Sequence, residues 1–241
     1  YRGRFDTSTR FSRAEEKKKS PLKTVIKVES TDVMLNDTVW KIHPSLIVAY
    51  SGRVHINDFY FSHEDQHLHI DGLASDNLAD TVKVDLKGIN LEYVFDLLNF
   101  KSVDFKGRAT GTAMACGLFN KPVMNTHLFV KDFYFNDGLM GDMNVTGEWH
   151  QKEEGIWLDA HIKEQEISET FVKGYIFPLK PKSGLDLDIR TKNVDIRFLE
   201  TYVKSLASDF SGRVSGNVRL YGTFKTLNLN GAVKPDATFK V

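Results

Sequence analysis

The chain has 241 residues, 41 % of them apolar and 12 % aromatic, enough to bury a sizeable core and to exclude wholesale disorder. Lys and Arg balance Asp and Glu at 32 each, so the basic excess that a general nucleic-acid binder needs is absent. The single cysteine, Cys116, excludes an internal disulfide and a CxxC zinc site, and no apolar run nears the roughly 18 residues of a membrane span.

Residues 1–23 differ from the rest. They carry a net charge of +5 and include the run Glu15-Glu16-Lys17-Lys18-Lys19. Such a mixed-charge stretch reads as a solvated linker or a frayed segment, and a touch on an anionic membrane surface is its sharper alternative. From residue 24 the rhythm is period two, which marks strands with one apolar face. Strands are expected near 24–30, 39–50, 53–62, 67–72, 81–87, 125–135, 143–150 and 170–177.

Three further segments show the alternation most cleanly. Ile156, Leu158, Ala160 and Ile162 alternate with Trp157, Asp159, His161 and Lys163. Leu185, Leu187 and Ile189 alternate with Asp186, Asp188 and Arg190, and Leu227 and Leu229 with Asn228 and Asn230. Turn signals at Asp137-Gly138, Glu154-Gly155 and Pro181-Lys182-Ser183-Gly184 separate strands at hairpin distances. Residues 128–135 are apolar on both sides if read as one regular strand, which suggests a contact with a helix or an oligomer surface.

Only two segments have helical spacing. Leu91, Val94, Phe95 and Leu98 follow Asn90, a plausible N-cap, and Ile196, Leu199 and Val203 follow Asp195. Both expected helices, 91–98 and 196–203, are too short to hold alone in water and must lie against the sheet.

The chain also repeats itself. A shift of 105 places Asp104, Phe105, Gly107, Arg108, Gly111, Gly117 and Phe119 on Asp209, Phe210, Gly212, Arg213, Gly216, Gly222 and Phe224. The repeat units span about 82–119 and 187–224, and a second echo pairs Asp58-Phe59-Tyr60-Phe61 with Asp132-Phe133-Tyr134-Phe135. From Phe210 to Phe224 one face reads Phe, Gly, Val, Gly, Val, Leu, Gly, Phe. That length implies one long strand or two joined at a glycine bend, because a mean strand has about five to six residues. Repeats of this kind stack into a continuous apolar surface, and the alternative is a closed sandwich whose sheets cover each other.

The phrase from Asp209 to Phe224, leading into Leu227-Asn228-Leu229-Asn230-Gly231, resembles the recurring glycine-punctuated strand pair of the TamB family of diderm bacteria. That family lies within the AsmA-like and bridge-type lipid-transfer group. Asn36-Asp37-Thr38-Val39-Trp40 and the Phe-x-Gly that follows each helix resemble it too, whereas Lys225-Thr226 departs from the family's usual proline. The resemblance covers about residues 24–241 and rests on the ordered series, since no catalytic signature is present.

It implies an elongated, curved, taco-like antiparallel β-groove, one repeat-built domain over 24–241 within a longer protein. The parent would be anchored in the inner membrane and cross the periplasm. Its implied cargo is phospholipid or another acyl-chain lipid bound for the outer membrane, and its implied partner is of the BamA type, with no cofactor and no enzymatic activity. Ile156, Leu158, Leu185, Leu187, Ile189, Val214, Val218, Leu220, Leu227 and Leu229 are the expected groove residues. The rival reading is a scaffold that guides outer-membrane protein strands, and an outer-surface adhesin is a third.

Other candidates have blander explanations. His63, His67 and His69 with Glu64 or Asp65 could hold a metal, yet histidines on an exposed strand are more often solvated. Asp186 and Asp188 could form a glycosidase-type pair, but spaced carboxylates on a polar face are more often surface charge. Cys116, beside Met114, reads as packing rather than as a nucleophile.

Overall fold

A computed structural model describes residues 2–3, 7–13, 22–35, 38–97, 104–136, 138–178, 183–196 and 208–240. The described chain is mainly β and antiparallel, with almost no helix. It divides into two compact units, Tyr1–Ile89 with Thr110–Thr126 and Asn90–Ala109 with His127–Val241.

The first unit holds β1 (Arg2–Gly3), β2 (Thr7–Arg13), β3 (Leu22–Val28), β4 (Thr31–Leu35), β5 (Thr38–Ile42), β6 (Ser45–Tyr50), β7 (Arg53–His63), β8 (Gln66–Ala74) and β9 (Thr81–Asn90, its last residue in the second unit). Its sheet branches at β7. The first half of β7 pairs with β6, from Arg53 opposite Tyr50 to Asn57 opposite Leu46, while Phe61 pairs with Ile42 of β5. Beyond β6 come β3 and β2, and beyond β5 come β4 and β1. The segment expected as one strand over 39–50 is therefore two, broken at His43-Pro44, where Pro44 has no N–H to give a ladder. Trp40, only 1 % exposed, stacks on Phe61 with ring centroids 4.9 Å apart and anchors this unit's core.

The second unit begins with α1 (Leu91–Leu97) and continues through β10 (Phe105–Cys116), β11 (Val123–Phe135), β12 (Gly138–His150), β13 (Gly155–Glu164), β14 (Ser168–Phe177), β15 (Gly184–Asp195), β16 (Ser208–Thr223) and β17 (Thr226–Lys240). The ends of β10 and β11 belong to the first unit. Each strand pairs with the next in a plain meander, as the hairpin-length turns predict.

This sheet curls tightly about one face. β12 and β15 come within 8 Å, where a flat sheet would hold strands three apart at about 14 Å. Phe105 of β10 packs against the cluster of Leu185, Leu187 and Leu220, which a flat sheet would put about 24–29 Å away. At Gly141, φ is 110°, and a Cβ there would run into the carbonyl of Lys163, so only glycine lets β12 and β13 approach so closely.

Several expectations change. Residues 7–13, expected within a basic linker or frayed segment, form β2, paired with β3 along its whole length. Thr31–Leu35 form a strand too short for its alternation to stand out in the sequence. Residues 105–116 and 208–223 are each one long strand with no break at a glycine. The expected helix at 196–203 lies outside the described residues except for Ile196, which is buried.

Candidate functional site

The inner face of the second unit is built by register. Ile156, Ile176, Leu185, Gly222 and Leu227 lie in one cross-strand row. Leu158, Gly174, Leu187, Leu220 and Leu229 form the next, and Ala160, Val172, Ile189, Val218 and Gly231 the third. The three rows thus assemble all the expected groove residues except Val214, which is buried two rows further along β16, opposite Val194. Strand alternation alone puts these side chains on one side, and the antiparallel register turns them into a continuous apolar band across five strands.

Cover over this band is uneven. Phe95 of α1, Phe105 of β10 and Phe135 of β11 pack on Leu185, Leu187 and Leu220, which are buried. Phe105 and Phe135 also join a second cluster formed by Ala109, Val130, Phe133, Met140, Ile162 and Val194. On β17 the same band is open: Leu229 is 54 % exposed and Val233 43 %. The site therefore has a filled floor and an uncovered apolar margin.

What keeps the apolar side in phase is a device that sequence reading missed. Four strands carry one residue in the left-handed region, with φ between 50° and 61°: Asp58 (55°), Gly88 (61°), Asp132 (50°) and Asn193 (57°). In each case the neighbouring strand caps the turned N–H. Asp58 N–H donates to Asp71 Oδ2 at 3.3 Å and Asp132 N–H to Asp142 Oδ1 at 2.9 Å. Gly88 N–H donates to Thr110 Oγ1 at 3.0 Å and Asn193 N–H to Ser215 Oγ at 2.8 Å. Asp, Asn and Gly tolerate the left-handed region better than other residues, which is why these types occupy the bulges.

Each bulge shifts the alternation by one. The register slips between Ile56 and Phe59 and again between Thr191 and Val194. On β11, Val130 and Phe133 are both buried although three residues apart, so Leu128, Val130, Phe133 and Phe135 line one face. The strand expected to be apolar on both sides is instead a bulged strand with one apolar face. A local signal was present in Asn57-Asp58-Phe59, Lys87-Gly88-Ile89, Lys131-Asp132-Phe133 and Lys192-Asn193-Val194. Each is a polar or basic residue, then Asp, Asn or Gly, then an apolar one.

The outer face carries the charge. Asp186 and Arg219 form a two-pronged ion pair, with Nε to Oδ1 and Nη2 to Oδ2 both at 2.6 Å. That guanidinium holds the Asp186 carboxyl below the usual carboxylate range, the reverse of what a general acid requires. In the first unit His67 pairs with Asp85 at 2.7 Å and His69 with Asp58 at 2.9 Å, while His63 meets the carbonyl of Val39. Among the described residues no three His, Cys, Asp or Glu side chains are placed to hold a metal ion, and no helix is long and apolar enough to cross a membrane. Comparison with family models, with curated proteins and with solved structures finds no match.

Proposed function

We propose that this chain is a segment of a TamB-like, periplasm-crossing protein whose apolar β-face shelters phospholipid acyl chains on their way to the outer membrane. The role is one of passive cover and involves no chemical step. One observation carries the reading: the three rows of the inner face stay apolar across five strands and end uncovered at Leu229. An acyl chain laid along such a margin gains about 0.8 kcal/mol for each CH₂ it buries. Contacts of this kind are bland and repeated, so no single position holds the chain tightly and sliding is possible. Because Phe95, Phe105 and Phe135 already fill the floor above Leu187, contact with lipid falls to Leu227, Leu229 and Val233.

Mass spectrometry of organic extracts tests this on the 241-residue chain purified without detergent from a diderm host. Phospholipid should co-purify and be reduced in Leu229→Asp, whose position is exposed. A folded chain that carries no lipid would overturn the reading and favour a scaffold for outer-membrane protein strands, with a BamA-type partner.

A further inference from the structure

One end of the first unit differs from the rest of its surface. The register sets that end: Lys23 lies opposite Tyr50, Tyr50 opposite Arg53 across the tight turn at Ser51-Gly52, and Val54 opposite Ala74, so these strand ends are level. The β8–β9 connection, 75–80, and the β10–β11 connection, 117–122, leave the sheet beside them, joined by a bond from the Phe119 N–H to the Ser75 carbonyl. Leu22, Tyr50, Leu78, Leu118, Phe119 and Val123 are all exposed there, Leu78 by 59 % and Phe119 by 54 %. We propose that this end of the first unit inserts its loop tips into the interface of an anionic lipid bilayer.

One buried serine holds the two tips out. Ser75 is wholly buried; its Oγ donates to Asp80 Oδ2 at 2.7 Å and accepts from the Asn77 N–H at 2.8 Å, while its carbonyl accepts from the Phe119 N–H at 3.1 Å. Gly117, at φ 62°, turns the second loop against the first, and a Cβ there would run into Leu78 Cδ2. Three more N–H groups bond within the loops: Ala79 to Asn77 Oδ1, Asp80 to the Asn77 carbonyl and Asn120 to the Gly117 carbonyl. Fixing two large apolar side chains in water gains the folded chain no burial. Backbone donors already bonded are what a loop needs to enter a medium that cannot hydrate them. A protein partner would have to supply a pocket for each tip, whereas a bilayer takes separate tips in any arrangement.

The charge around the tips suits an anionic surface. Lys23, Arg53 and Lys121 are exposed at this end against Asp76 and Asp80, and Asp80 is drawn inward by Ser75 and by Arg53 at 3.7 Å. The sequence joining β2 to β3 adds Lys17, Lys18 and Lys19 against Glu15 and Glu16. Lysines at a membrane interface lay their methylenes along the apolar layer and keep the ammonium among the phosphates. The opposite end of the same unit is acidic. Asn36-Asp37 joins β4 to β5 and Glu64-Asp65 joins β7 to β8, and Lys41 opposite Ser62 puts both connections at that end. Neither holds an apolar residue, and Met34 and Val39, exposed near them, lie within strands. The apolar tips therefore belong to one end and are not a general property of the unit's turns.

Co-sedimentation of the full chain with vesicles tests the proposal. Vesicles of phosphatidylethanolamine with phosphatidylglycerol should carry the chain down, and do so more weakly at high salt or without phosphatidylglycerol. Leu78→Ser with Phe119→Ser, both at exposed positions, should weaken binding about tenfold or more and leave the circular dichroism spectrum unchanged. Should the pair disturb folding, Leu78→Ser alone carries the test, with an expected loss of about threefold. No sedimentation at about 1 mM lipid, or binding that survives the loss of both side chains, overturns the proposal. Self-association without vesicles that the same substitutions abolish would also overturn it, because the tips would then belong to a contact with a second copy. Leu229→Asp should leave vesicle binding unchanged, and the tip variant should leave co-purified phospholipid unchanged, so failure here and failure of the acyl-chain reading are told apart.

Discussion

Leu220 and Leu229 sit opposite each other on β16 and β17, on the same side of one sheet, yet one is 5 % exposed and the other 54 %. Residue type, face and row are shared, and the strands are neighbours. The difference lies in what reaches over them. Phe95 of α1, Phe105 of β10 and Phe135 of β11 pack on the cluster that includes Leu220, and Leu229, across the ladder on β17, has no place in that cluster. Alternation decides the side of a residue, and long-range curvature decides whether that side is core or surface.

The largest break in this comparison comes from Leu220. Leu220→Ala should cost about 3 kcal/mol in urea denaturation, because the floor is packed on both sides and cannot collapse into the space. Leu187→Asp should be worse and leave no cooperative transition, since a carboxylate would sit in an apolar cluster with no partner. A cost for Leu220→Ala below about 1 kcal/mol would show that the phenylalanines do not close the floor.

Next in size is the bulge that keeps these rows in phase. Asn193→Val puts a β-branched residue at φ 57° and should cost about 1–2 kcal/mol. Asn193→Gly keeps the backbone and gives up the amide's bond to the carbonyl of Ile167, for a cost nearer 0.5 kcal/mol. Gly88, 105 positions earlier in the chain, already stands in the same left-handed geometry with its own N–H capped by Thr110. Equal urea midpoints for the Val and Gly variants would remove backbone strain from the account.

These bulges mark where the sequence stopped being legible. The predominance of strands followed from period two, and the inner face of β13, β15 and β17 from unbroken alternation at Leu158, Leu187 and Leu229. A helix near 91–98 followed from its 3–4 spacing, one residue longer than α1. The 128–135 segment was misread because one residue in left-handed geometry reverses the parity of everything after it, and hydropathy carries no trace of φ. The curl was illegible for a different reason. It depends on backbone approaches such as Gly141 to the Lys163 carbonyl and on phenylalanines far away in the chain. The ten expected groove residues were therefore found as a face, with no means of telling the buried Leu187 from the open Leu229.

A smaller effect tests whether the outer face contributes to holding the rows. Asp186 lies beside Leu185 and Leu187 on β15, and its pair with Arg219 ties β15 to β16 from the polar side. The guanidinium lowers the folded-state carboxyl below its unfolded value of about 3.9, so its stabilising contribution is present above that value. It is lost as pH falls through the lowered folded value. Asp186→Asn should lower the melting temperature by less than about 3 °C at pH 7, because both partners remain partly in solvent. The gap between wild type and variant should hold from about pH 8 to 5 and narrow below about pH 4. A gap that widens in acid would mean the carboxyl is destabilised in the folded state and the pair does no tying.

The smallest expected change in stability belongs to Leu229, and it sharpens the comparison most. Leu229→Asp places a charge in water on β17, so urea denaturation should move by no more than about 0.5 kcal/mol. The same substitution at Leu220, directly across the ladder, should abolish folding. A pair of residues identical in type and face would then differ only in cover, and the loss of an apolar probe from the folded Leu229→Asp chain would belong to the open margin alone. If Leu229→Asp instead costs as much as Leu220→Ala, Leu229 is covered in solution, and the place where an acyl chain could lie is already taken by the protein.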